Sequence, residues 1–157
     1  MAASLVCAQA STCIRGDPEP VLRAPAQRLA KHQFRRTHAK EAIETISLPR
    51  GDSFRLDHSG CEYYVIAFTV RPRQTGIDRL HIAAKGLRQL AALKPDIVFD
   101  LQAAAVAMEE VRRAGVPLVD GEEHPVAGDG EDFLQTRFVF DSAPRGAVRF
   151  RLFKGPL

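Results

Sequence analysis

One of the three cysteines has a histidine close enough in sequence to suggest chemistry. In "LDHSGCEYYVIAFTVR", Leu56 to Arg71, His58 precedes Cys61 by three residues. An unperturbed thiol, with a pKa of about 8.5, is only a few per cent ionised at neutral pH, so a nucleophilic Cys61 would need His58 as its base. The same sulfur could instead close a disulfide or bind a soft metal. On a strand, residues an odd number apart point to opposite faces, and Ser59-Gly60 between the two suggests a turn. The spacing therefore does not force the side chains together. It predicts His58 as an exposed turn residue and Cys61 as a disulfide half in preference to a nucleophile.

Two charged segments are the other candidates. Glu122, Glu123, His124, Asp129, Glu131 and Asp132 offer oxygens for calcium and an imidazole for a softer metal. Their order does not supply the alternating acids and final glutamate of a calcium-binding helix-loop-helix, so a solvated loop is preferred and no metal or cofactor is expected. Arg23, Arg28, Lys31, Arg35, Arg36 and Lys40 form a run without an acid and could hold phosphate or anionic headgroups, with His32, Phe34 and His38 available for stacking. The low aromatic content favours a solvated basic arm over nucleic-acid binding. The formal charge of +3 thus conceals a bipolar chain.

Several other chemistries lack their residues. There is no phosphate-binding glycine loop, nucleophile elbow or CxxC pair. Adjacent Glu109 and Glu110 diverge by about 100° on a helix and cannot act as a facing acid and base. Asp78, Asp96 and Asp100 read as helix-start residues. The two Arg-Gly-Asp triplets, Arg15 to Asp17 and Arg50 to Asp52, are short patterns common in turns and carry no weight as adhesion signals.

Compartment bears on the cysteine. The first residues, "MAASLVCAQASTC", contain Ala8 and Ala10 in the A-x-A arrangement of a signal-peptidase site, without the full basic and apolar regions of a signal peptide. Residues 1–10 are read as a signal-peptide remnant, which predicts a periplasmic or secreted protein. Cleavage after Ala10 would leave Cys13 and Cys61 as the sole pair, and closing that loop would contribute about 4 kcal/mol in the chain-entropy account.

The elements follow from periodicity. Residues 11–41 read as a basic arm whose prolines delay any helix until Ala26, with Leu29 and Phe34 as sparse helical anchors. Residues 42–157 read as a single domain. Ala42 to Leu48, the stretch around Phe54 and Leu56, and Glu62 to Arg71 alternate as three antiparallel strands. Ile77, Leu80, Ala84, Leu87 and Ala91 then recur at helical spacing, followed by Ile97, Leu101, Ala104, Ala105, Met108 and Val111 as far as Gly115. Phe133 to Asp141 and Ala147 to Phe153 close the chain as a hairpin. The expected fold is α+β: an antiparallel sheet of about five strands, in the order β-β-β-α-α-β-β, with two helices on one face. No apolar run approaches the roughly 20 residues that cross a bilayer. With no catalytic constellation, the expectation is a binding domain with a protein partner, of inhibitor or immunity type. A Cys61/His58 enzyme and a cytosolic nucleic-acid module are the alternatives.

Overall fold

The computed structural model describes residues 16–23, 29–49, 51–61, 63–74, 78–127 and 135–155. These form an α+β fold whose antiparallel sheet has seven strands in the order β1-β2-β3-β4-β7-β6-β5. The strands are β1 (Lys31–His38), β2 (Glu41–Ser47), β3 (Ser53–Ser59), β4 (Tyr64–Arg71), β5 (Glu123–Pro125), β6 (Gln135–Asp141) and β7 (Val148–Gly155). The helices α1 (Arg79–Ala91) and α2 (Leu101–Arg113) lie between β4 and β5 in the chain. Among the described residues no helix is long and apolar enough to cross a membrane.

The sheet is larger than the sequence predicts, for two reasons. Lys31–His38, expected as arm or sparse helix, alternates exposed with half-buried residues and pairs with β2 as an edge strand. Its inward positions are His32 and Phe34, too polar a pair to register as a period-two signal. The short β5 lies inside the acidic segment and pairs through Glu123, His124 and Pro125 with β6. The remaining strands fall close to their expected positions. The turn after β3 begins later than expected, so His58 is a buried residue of β3.

Both helices begin at the aspartates that the sequence marked. Asp78 caps α1 by accepting from the Leu80 amide at 2.9 Å, and Asp100 caps α2 by accepting from Ala103 at 2.9 Å. Gly115, at φ +67°, takes the left-handed conformation that ends α2. Asp96 caps neither helix; its carboxylate pairs with Arg23 at 2.7 Å.

One face of the sheet is fully occupied. Phe68, Phe150 and Phe140 lie in one register row across β4, β7 and β6, with Phe68 stacked on Phe150 at 5.2 Å between centroids. The helices pack over this half, and Gly86 of α1 sits where a Cβ would be 3.0 Å from the Phe54 ring and 3.3 Å from Val70. Glu109 of α2 ties the helices together through His81 at 3.3 Å and Arg88 at 3.6 Å of α1, and pairs within its own helix with Arg112 at 2.9 Å.

α1 reaches only as far as Phe54 of β3; beyond it, over β2 and the rest of β3, the segment around Val21 and Leu22 is joined to the sheet. Both residues are buried. The link is Glu44 on β2, whose side chain has no solvent exposure. Its carboxylate accepts from the Val21 amide at 2.9 Å and the Leu22 amide at 3.4 Å, and meets Nε2 of His32 at 2.6 Å and Nε2 of His58 at 3.1 Å. Burial by itself would raise this carboxyl. The hydrogen bonds from His58, the Val21 amide and His32, with the charge of His58, outweigh it and hold the group below its ordinary 4.5. A depressed carboxyl stabilises the fold above its unfolded pKa, and that contribution is lost as pH falls through the folded value. Glu44→Ala is therefore expected to cost about 3 kcal/mol in chemical denaturation at neutral pH, because it strands two amides and two imidazoles. Its stability should also fall less steeply than the wild type's below pH 4.5.

Candidate functional site

The residues first suspected of chemistry do not form a reactive pair. Cys61 sits half-buried in the turn after β3, and its sulfur is engaged in a disulfide. Cys7 and Cys13 both lie outside the described residues, so no cystine has both ends among them. A half-cystine has no thiolate to offer. His58, three residues earlier, points to the inner face and is spent on Glu44. It lines a cavity of about 360 Å³ between the Gly16–Arg23 segment and the loop before α2, yet its side chain is only 2% exposed. A base must reach the proton it removes, so sealed His58 and fully buried Glu44 are placed to hold the fold together.

The acidic segment is also divided. Glu122 is exposed in a turn, and Glu123 projects outward from β5 to pair with Arg137 at 2.9 Å. His124 turns inward and stacks on Phe138 at 5.0 Å, where its Nε2 is buried without a hydrogen-bond partner. Asp129, Glu131 and Asp132 lie outside the described residues. Strand alternation thus sends Glu123 and His124 to opposite faces, and no group of three or more metal-ligating side chains occurs among the described residues.

The six cations of the basic run separate as well. Arg23 pairs with Glu19 and Asp96, Arg36 and Lys40 pair with Asp17, and Arg28 lies outside the described residues. The charge of Asp17 is used chiefly by Lys40, whose hydrogen bond and proximity lower its pKa. Lys31 and Arg35 project from the outer face of β1, both exposed, with no carboxylate partner among the described residues.

These two cations have company that the sequence did not reveal. Among the described residues no helix covers the outer face of the sheet. Register aligns Lys31, Ser47, Ser53 and Arg71 in one row across β1 to β4. The next row runs Gln33, Thr45, Arg55, Thr69, Arg149 and Asp141 across β1, β2, β3, β4, β7 and β6. The first row and the second as far as Arg149 form the floor of an open basin of about 680 Å³, bounded on one side by Pro144 of the β6–β7 turn. Among the described residues no carboxylate lines it. Asp57, in the following row, takes Arg55 at 2.7 Å and Arg149 at 3.9 Å, whereas Arg71 and Lys31 have no such partner among the described residues.

Farther along the same face the charges are matched. Arg151 makes a two-point pair with Asp141 at 2.8 and 2.9 Å, and Arg137 pairs with Glu123 beside Phe153. A second hollow of about 440 Å³ lies there, with Tyr63 resting against Gly155 at its rim. Excess positive charge is therefore concentrated at the β1–β4 end. Its chemistry is multipoint anion binding, with guanidinium and ammonium groups around short hydroxyl side chains.

No family model, curated protein or solved structure matches the chain.

If Lys31 and Arg71 serve recognition and not folding, removing them should be nearly silent thermodynamically. Lys31→Ala and Arg71→Ala are each expected to change unfolding free energy by no more than about 0.5 kcal/mol, the range for exposed positions without partners. A loss above about 2 kcal/mol in urea titration would assign them a structural role.

Proposed function

We infer that the chain is a small exported α+β domain that acts by binding another protein, as an inhibitor or immunity protein does, and that it is not an enzyme. The observation that carries this reading is the asymmetry of the sheet: its inner face is covered by two helices and the Val21–Leu22 segment, and among the described residues its outer face carries no covering element and two cations, Lys31 and Arg71, without a carboxylate partner. An open antiparallel face with fixed side chains needs no further ordering to recognise a partner, which lowers the entropic cost of binding. The sealing of His58 and the engagement of Cys61 support a role without nucleophilic catalysis. Function by analogy of size and simplicity alone would be weak; it is the site that carries the reading.

Export belongs to the same reading and rests on the Ala8 and Ala10 pattern with the cysteines. Cys13 is proposed as the partner of Cys61, tying the start of the mature chain to the β3–β4 turn. Intact mass and peptide mapping of protein from its native host, with and without reductant, test this directly. The expected result is a chain beginning at Ser11 with a Cys13–Cys61 bridge. A Cys7–Cys61 bridge would overturn cleavage after Ala10, and a free Cys61 whose alkylation abolishes a turnover activity would overturn the non-enzymatic reading.

The partner is sought by affinity purification on the immobilised disulfide-intact chain, followed by reconstitution from purified components. The reading predicts one identified protein that rebinds with fixed stoichiometry in calorimetry. Failure of every recovered protein to rebind once purified would contradict it.

A further inference from the structure

The β1–β4 end of the open face is specific in its chemistry, and it narrows the partner class. We propose that the basin floored by Lys31, Ser47, Ser53, Arg55, Arg71 and Arg149 receives an extended acidic segment of the partner, with carboxylates seated on Lys31 and Arg71. This rests on the protein-binding reading above and deepens it.

Four cations line the basin; of the carboxylates at its edge, Asp57 pairs with Arg55 and lies 3.9 Å from Arg149, and Asp141, across from Arg149, is taken by Arg151. Lys31 and Arg71 stand at the two ends of one register row, with the hydroxyls of Ser47 and Ser53 between them. Strands about 4.8 Å apart set those ends roughly 14 Å from each other. An extended peptide rises about 3.3 Å per residue, so acidic side chains four residues apart span about 13 Å and point the same way. A carboxylate presents two oxygens to the fork of Arg71 and one point charge's worth of acceptor to Lys31. The serine hydroxyls can donate to or accept from the intervening peptide groups.

Nucleic acid would use the same cations, but the basin offers it little else. Affinity for single strands without duplex geometry comes from bases stacking on aromatic rings as well as from charge. Among the described residues Phe54 is the one aromatic at the basin, and it is 2% exposed because its ring packs against Gly86 of α1. The chemistry that remains, short hydroxyls between separated cations, suits a peptide main chain flanked by carboxylates.

The test uses the intact, disulfide-containing chain with a fluorescently labelled hexaglutamate peptide and, in parallel, a labelled single-stranded DNA 12-mer, each followed by anisotropy at low and raised ionic strength. Expected is saturable, salt-weakened binding of hexaglutamate, at least about tenfold tighter than the DNA, with a loss of tenfold or more in the Lys31→Gln/Arg71→Gln double variant. A Glu123→Gln variant, whose change lies outside the basin, should bind as the wild type does. Circular dichroism and melting temperature identify variants that fail to fold.

Absence of hexaglutamate binding, equal or tighter binding of DNA, or full retention of affinity in the double variant would each overturn the proposal. The two layers separate cleanly. If the purified protein partner still binds the double variant while hexaglutamate is silent, the basin assignment fails and the protein-binding reading stands. If hexaglutamate binds as expected but no protein partner rebinds, the reading of function fails and the basin stands.

Discussion

A carboxylate with no access to water sets the arrangement of half the molecule. Burying Glu44 without partners would be prohibitive, and the fold meets that cost with two imidazoles and two main-chain amides. Because those partners come from β1, β3 and the segment around Val21, satisfying the one charge fixes three pieces of chain against β2. Val21 and Leu22 are thereby held in the same buried core cluster as Ile46, Phe54 and Leu56. The Asp96 amide donates to the Val21 carbonyl at 2.8 Å, so the same segment is joined to the loop that leads into α2.

This clasp and the helix pair divide one sheet face between them. The aromatic row of Phe68, Phe150 and Phe140 lies under the helices, and the polar cluster lies under the N-terminal segment. Asp52 links the two regimes: it accepts from the Arg73 amide and the Gln89 side chain, tying the β2–β3 turn to α1. Burial is the largest single influence on Asp52 and opposes its ionisation, but these hydrogen bonds and Lys85 together outweigh it and lower its pKa. The opposite face differs along its width: near β6 and β7 its charges are matched, whereas Lys31 of β1 and Arg71 of β4 have no carboxylate partner among the described residues.

Much of the architecture was legible from the sequence because it depends on local pattern. The helical stripes around Leu87 and Met108, the caps at Asp78 and Asp100, and the alternation in β4 and β7 are properties of neighbouring residues, and all appear in the structure. Two strands were not legible. β1 turns a half-buried histidine inward onto Glu44, a polar contact that leaves no period-two apolar signal, and β5 is three residues long in a segment whose composition suggests a loop. The function of His58 failed for a related reason: Ser59-Gly60 does mark a turn, but the strand continues up to it, and the partner of His58 is fourteen positions away in β2.

The basin was illegible for a different reason. Arg55, Arg71 and Arg149 are ordinary outward-facing strand residues until register sets them beside Lys31, and register among four strands is not a local property. The charge run from Arg23 to Lys40 was conspicuous in the sequence, yet half of its members neutralise Asp17, Glu19 and Asp96. Linear charge density was therefore a poor guide to free charge. The central claim is that recognition uses the open sheet face, and the most direct measurement is amide chemical-shift mapping of the intact chain during titration with its purified protein partner. Perturbations centred on Lys31, Ser47, Ser53, Arg71 and Arg149 are predicted; perturbations centred on α1, α2 or the Val21–Leu22 segment, with the basin unaffected, would contradict it.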